Sequence, residues 1–345
     1  MKKIILTIIL LCLLSAGWFL ISEIYFSEAQ SGIESVKFEV KQGESVGELV
    51  SRLEDEQVIR NAWVFKKYIV WKGMDKKVNY GEFEVEAPVT LSRVAMALSQ
   101  PGLGEDTITI IPGWNIRDIG MYFENLGKFQ AEEITEYVGL PARNYKVVAG
   151  RVPKIELDLK ILQDKPWYVS YEGYLAPETF RVYKNADVKS IIETLLRHRE
   201  NQITDEMWSD IEKSGRTFFE ILTMASILER EVQTEKDKSI VSDIFWRRYD
   251  LNWALQADST VHYAVGKIGN VFTTSEDRDS NSPWNTYKYP GLPLGPISNP
   301  SLESIKAALY PEKNNDWYFL TDTEGVVYYA KDLNEHNLNR AKYIY

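Results

Sequence analysis

The sequence predicts an α+β chain with a single N-terminal transmembrane helix, a small mixed module and then a larger mixed α/β domain. Three observations carry this. Residues 4–22 hold no charge. A strand–turn–helix pattern occurs three times between residues 36 and 123. Beyond residue 187, amphipathic segments at helical spacing are interrupted by a proline- and glycine-dense loop and end in two short strands and a helix. The expected boundaries are an anchor over residues 1–22, a linker over 23–35, the module over 36–103 and the larger region over 104–345.

The nineteen residues 4–22 are about long enough to cross a bilayer core as a helix. Lys2 and Lys3 precede them and Glu23 follows, a bias that puts the N-terminus in the cytoplasm. The rest of the chain is then expected outside it, held at the plasma membrane by one pass. Ser15, Ala16 and Gly17 also permit a cleaved signal peptide, but the apolar run continues through Ile21 with no good cleavage site after it.

Residues 36–41 alternate like a strand, Gly43 turns the chain, and Ser45 opens a helix with Val46, Leu49, Val50 and Leu53 on one face. Ser45 and Glu48 form a capping box, each satisfying an amide at the helix start. Residues 83–86 with Pro88 and Thr90 repeat this before Leu91, Val94 and Leu98. Residues 107–111 with Pro112, Gly113 and Asn115 repeat it before Ile116, Ile119 and Phe123. The repeats are unequally spaced, which excludes a solenoid. The first unit resembles LysM, a wall-sugar-binding shape, though a spacer domain accounts for it equally well.

The chain carries 40 Lys and Arg against 50 Asp and Glu, a net charge of −10 with no dominant basic patch. This speaks against nucleic-acid binding. Cys12 is the lone cysteine, so no intramolecular disulfide can form. His198, His262 and His336 are far apart and no Cys/His ligand spacing occurs, so no metal is expected. Ten Trp and twenty Tyr are compatible with a groove that binds sugars.

Residues 218–232 put a carboxylate on an apolar helix. Phe218, Ile221, Leu222, Ala225, Leu228 and Val232 recur at three-and-four spacing. Glu229, about three whole turns after Phe218, falls near the middle of that stripe, whereas Glu231 is expected on the opposite face, where it tolerates change. A carboxyl in apolar surroundings stays protonated toward neutrality, which suits a general acid. A buried ion pair between Glu229 and Arg247 or Arg248 is the other reading.

Two polar clusters follow. Gln256, Asp258 and Thr260 bring amide, carboxylate and hydroxyl together, although Asp258 also suits a helix cap. Asn285 and Tyr287 lead into residues 290–300, with four prolines and two glycines in eleven positions. Such a segment is a rigid loop, with little entropy left to lose on meeting a ligand. Residues 172–180 read as a second shaped loop. His336, a lone histidine in the closing helix, stays outside the expected mechanism.

The segments ASILEREV, QADSTVHY, NTY followed by GLPLGPISNP, and YYAKDLNEHN together resemble the YceG-like family of membrane-anchored endolytic murein transglycosylases, in order and spacing over residues 107–345. Ser259 stands where that family usually has proline, Leu294 where a second proline is common, and Ser301 where glycine is frequent. The resemblance implies cleavage of MurNAc–GlcNAc bonds within nascent peptidoglycan strands, leaving 1,6-anhydro ends and terminating strand elongation. It implies Glu229 as the single general acid/base, with Gln256, Asp258, Thr260, Asn285 and Tyr287 positioning the substrate. No cofactor is implied, and transient contacts with penicillin-binding peptidoglycan synthases follow from the family. Two other readings stay open: a two-carboxylate muramidase using Glu229 and Asp258, and a non-catalytic wall-binding or division scaffold.

Overall fold

The computed structural model describes residues 2–30, 32–41, 43–100, 105–183, 186–266 and 273–344. The chain divides into a smaller unit, residues 1–108 with 180–186, and a larger one, residues 109–179 with 187–345. The boundary expected between residues 103 and 104 falls outside the described residues.

In the smaller unit, strands β1 (Ser35–Val40) and β2 (Gly81–Glu86) pair antiparallel, with Phe38 opposite Phe83. Helices α2 (Val46–Asp55) and α3 (Ala62–Trp71) lie between them in sequence, and α4 (Leu91–Leu98) follows β2. The first two strand–turn–helix repeats therefore share one sheet. Alternation along β2 buries Gly81, Phe83 and Val85 and exposes the three glutamates between them. Phe38 and Phe83 stack at 5.6 Å over Leu49, Leu53, Phe65, Val94 and Leu98. The capping box at Ser45 and Glu48 forms as expected, and Asn61 and Thr90 cap α3 and α4.

The transmembrane anchor is not borne out. Residues 4–22 lie within helix α1 (Lys2–Tyr25), yet among the described residues no helix is long and apolar enough to cross a membrane. The expected plasma-membrane location, with a cytoplasmic N-terminus and an outward catalytic region, is corrected with it. The last turn of α1 serves protein packing instead. Glu23 is buried, 3.8 Å from Arg60 Nε, Ile24 packs on the module's core, and the Tyr25 ring meets Tyr68 edge-on.

Strand β3 (Glu105–Thr109) pairs with β4 (Thr179–Tyr183). Of the larger unit's helices, α5 (Ile116–Asn125), α6 (Ala131–Val138), α7 (Val188–Gln202), α8 (Asp205–Ser214), α9 (Phe218–Glu231), α10 (Glu235–Asp250), α11 (Asp258–Val265), α12 (Ser275–Arg278) and α13 (Leu302–Leu309) precede a hairpin, β5 (Tyr318–Thr321) and β6 (Val327–Ala330), and α14 (Leu333–Tyr343) closes the chain. Helix α9 is central, packing against α10, α11 and α13. Thr217 and Glu220 box its start, and every side chain from Ile221 to Leu228 is buried. A helix apolar all round belongs in the middle of a core.

The proline-rich loop is not a ligand platform for most of its length. From Gly295 to Pro300 it is buried. Its backbone groups are satisfied inside the core, as buried backbone must be. Ile297 N–H donates to Ser226 Oγ at 3.0 Å, and Gly113 N–H to the Asn299 carbonyl at 2.9 Å. Asn299 Oδ1 accepts from Leu175 N–H at 2.9 Å while its Nδ2 donates to Glu172 Oε1 at 3.1 Å.

Glu172 is the hub of this interior. Besides Asn299, it accepts from Ile116 N–H at the start of α5 and from the Tyr263 hydroxyl on α11, both at 3.1 Å. Burial pushes its carboxyl up to about 8, against opposing pulls from Ile116 and Tyr263. A carboxyl raised on folding contributes stability that is full below its unfolded value of 4.5 and is lost as pH climbs through about 8. Within that window each pH unit costs up to about 1.4 kcal/mol. Urea unfolding between pH 4.5 and 8.5 is therefore expected to show a falling limb that Glu172→Gln flattens. Parallel profiles for the two proteins would remove Glu172 as its source.

Candidate active site

Both glutamates at the end of α9 are engaged, in different ways. Glu229 is held by four donors. Its Oε2 accepts from Ser301 N–H at 2.8 Å, Ser301 Oγ at 2.6 Å and Ser304 Oγ at 2.7 Å, and its Oε1 meets Lys238 Nζ at 3.1 Å. Ser301 is the N-cap of α13, so the carboxylate sits on a helix start, where backbone N–H groups favour negative charge. Burial pushes the Glu229 carboxyl up, but the serines and Lys238 together outweigh it and hold it below its ordinary value. The surroundings are thus those of an ion pair, with Lys238 where Arg247 or Arg248 was expected.

Glu231 does not point to an open face. Its Oε1 accepts from Ser259 Oγ at 2.6 Å and Ser259 N–H at 3.3 Å, in the first turn of α11. Its Oε2 has no protein partner among the described residues. Burial pushes this carboxyl up, and Asp258 adds to the effect against the pull of Ser259. Glu231 lines a cavity of about 410 Å³ together with Arg248, Gln256, Asp258, Tyr287 and His336. A carboxyl pushed up by burial beside a second carboxylate, in a cleft, is the arrangement that general acid chemistry uses.

The expected positioning residues divide. Gln256, Asp258 and Tyr287 share the cavity with Glu231, and Tyr287 O–H donates to Asp258 Oδ1 at 2.8 Å. Arg278 stands 3.7 Å from the same carboxylate oxygen and over the Tyr287 ring. Gln256 has φ of +58°, a conformation that L residues rarely adopt. Three bonds hold the segment there: Gln256 N–H to the Thr286 carbonyl at 3.1 Å, Ala257 N–H to Thr286 Oγ1 at 3.1 Å, and Arg248 Nη1 to the Leu255 carbonyl at 2.7 Å.

Thr260 and Asn285 are fully buried instead. Thr260 Oγ1 bonds the Ala257 carbonyl and Thr286 Oγ1, fixing the start of α11. Asn285 Nδ2 donates to the carbonyls of Arg278 and Ser280, and its Oδ1 accepts from Tyr287 N–H. They shape the loops that present Asp258 and Tyr287.

The model of the YceG-like family matches residues 38–342. The chain belongs to that family. It is 28% identical to proteins described as endolytic murein transglycosylase from two strains of Streptococcus pneumoniae, over 88% of this chain, and spans 58% of the length of those relatives. It is also 28% identical to the Bacillus subtilis protein of the same description, over 90% of this chain and 85% of that one. A crystal structure of a yceG-like protein from Listeria monocytogenes, 28% identical, matches with a TM-score of 0.57 over 88% of this chain and 99% of the other.

Set against the YceG-like pattern, two departures fall on the glutamates' partners: Ser259 bonds Glu231 and Ser301 bonds Glu229. Sequence reasoning passed over Glu231, Arg248 and His336 as parts of the cavity. His336 reaches it because α14 folds back on β5, with the His336 and Tyr318 rings 5.5 Å apart. Burial, Arg248 and Arg340 push its imidazole down, toward the neutral form. Proximity of Glu231 to Asp258 was the one available signal, and it needed the packing of α9 on α11 to become visible.

Proposed function

We propose that this chain is an endolytic murein transglycosylase whose general acid/base is Glu231. Protonated Glu231 donates to the glycosidic oxygen between N-acetylmuramic acid and N-acetylglucosamine as positive charge builds at the muramyl anomeric carbon. The carboxylate so formed takes the proton of that sugar's C6 hydroxyl, whose oxygen closes on the anomeric carbon. The product is a 1,6-anhydro end, and no water is consumed. One acid/base suffices because the nucleophile belongs to the substrate and is already adjacent. Asp258, fixed by Tyr287, faces the developing charge and Gln256 holds the sugar. Glu229, which the sequence had favoured for this role, keeps α9, α10 and α13 together. Cutting inside nascent strands sets their length, which places the enzyme's work beside that of the peptidoglycan synthases.

The observation that carries the reading is a burial-raised carboxyl with one oxygen unbonded among the described residues, in a cavity shared with a carboxylate, an amide and a phenol. The description of the relatives supplies the substrate. The test is mass spectrometry of the ends released from uncrosslinked glycan by the wild-type chain. Anhydro-muramyl ends are expected. Reducing ends would point to a hydrolase using Asp258 as second carboxylate, and no new ends to a wall-binding scaffold.

A further inference from the structure

The larger unit holds a second cavity, of about 760 Å³, that the reaction above leaves unused. Met121, Leu140 and Val148 give it an apolar wall, and Arg117 and Arg143 bring two positive charges. Each guanidinium gives one hydrogen bond, to a backbone carbonyl: Arg117 Nη1 to Tyr263 at 3.1 Å and Arg143 Nη2 to Ala149 at 2.5 Å. Among the described residues neither makes an ion pair with an acid, and Arg143 Nε is buried without a hydrogen-bond partner, its guanidinium lying over the Tyr145 ring. A guanidinium presents five donors in a fork that fits a carboxylate. Two such forks on an apolar wall suit a small molecule carrying carboxylates and short aliphatic groups.

Helix α11 ties this cavity to the first. Its first residue, Asp258, lines the Glu231 cavity and Ala264, six residues on, lines the second. At 1.5 Å per residue the two points are about 9 Å apart along the helix, a span that about three extended residues cover. We propose that the second cavity receives the peptide stem of the muramyl residue being cut, an acidic peptide with alanine-sized side chains. The inference rests on the murein reading above. The stem's carboxylates meet Arg117 and Arg143, its methyl groups meet the apolar wall, and Glu132 on the same wall faces an amine-bearing third residue.

The test compares wild type with Arg143→Glu and Val148→Trp on two uncrosslinked glycans, one bearing peptide stems and one stripped of them by an amidase. Both variants are expected to raise KM about tenfold on the stemmed glycan, leaving kcat and all kinetics on the stripped glycan at wild-type values. Equal losses on both glycans, or none on either, overturn the proposal. Calorimetric titration of the full chain with free L-alanyl-γ-D-glutamyl-L-lysine is expected to show binding that Arg143→Glu removes, and no heat with wild type overturns it. Should wild type cut neither glycan, the murein reading fails, and the peptide titration still decides the cavity.

Discussion

Glu231→Gln is expected to lower glycan cleavage by about 10²–10⁴-fold, the range that one general acid/base supplies, with little change in melting temperature. Glutamine keeps the volume and still accepts from Ser259 but holds no acidic proton. In wild type, activity should fall as pH rises through a value above the ordinary carboxylate range, because burial pushes the Glu231 carboxyl up and only the protonated form donates. Glu229→Gln should behave differently. It leaves Lys238, itself almost wholly buried, without its counter-charge, and removing one member of a buried pair costs about 3–5 kcal/mol. Its signature is a lower melting temperature, with cleavage retained by the molecules that stay folded. A folded Glu229→Gln protein without activity, beside an active Glu231→Gln protein, would return the role to Glu229.

Gly173→Ala is the substitution expected to cost the most stability for a single methyl group. Gly173 has φ of +88°, and a β-carbon there would lie 2.7 and 2.8 Å from Cβ and Cγ of Pro296. A proline ring cannot swing aside as the end of a long side chain can. Backbone strain and overpacking together give a loss of about 3 kcal/mol. Gly325→Ala serves as the control, since φ there is +85° but the nearest atoms, on the Gln233 side chain, stand 3.5 Å away. It should cost only the backbone share, about 1 kcal/mol. Equal urea midpoints for the two variants would mean that the buried loop yields to the methyl group.

Local order was legible. Helical spacing gave α9 with its correct start, and the capping box at Ser45 is where side chains alone put hydrogen bonds. The two short closing strands form as expected and pair antiparallel. What the sequence withheld is what other elements bring to a residue. A helical wheel assigns Glu229 and Glu231 an angle, and both sit in the last turn of α9, where neighbours rather than periodicity decide the environment. The start of α13 and Lys238 of α10 converge on Glu229 and ionise it, while α11 delivers one serine to Glu231. Likewise, polarity alone could not separate Asp258 and Tyr287, which face the cavity, from Thr260 and Asn285, whose bonds are all spent on backbone and each other's loops. Four prolines announced an irregular loop correctly, but such a loop serves a buried crossing as well as a binding surface. The uncharged N-terminal run matched a bilayer in length, and the turn of α1 that follows it, Glu23 to Tyr25, packs on protein.

The path of the backbone limits how this molecule can be taken apart. Because residues 180–186 return to the smaller unit after the larger one has begun, no single cut in the sequence separates the two. A fragment starting after β3 would carry β4 with its pairing edge bare, an invitation to join another chain. A fragment ending at residue 108 would strand β3 in the same way. Whoever wishes to study cleavage without the module must therefore remove or replace two segments of sequence, and deletion of residues 1–108 alone is expected to yield aggregated protein that says nothing about catalysis.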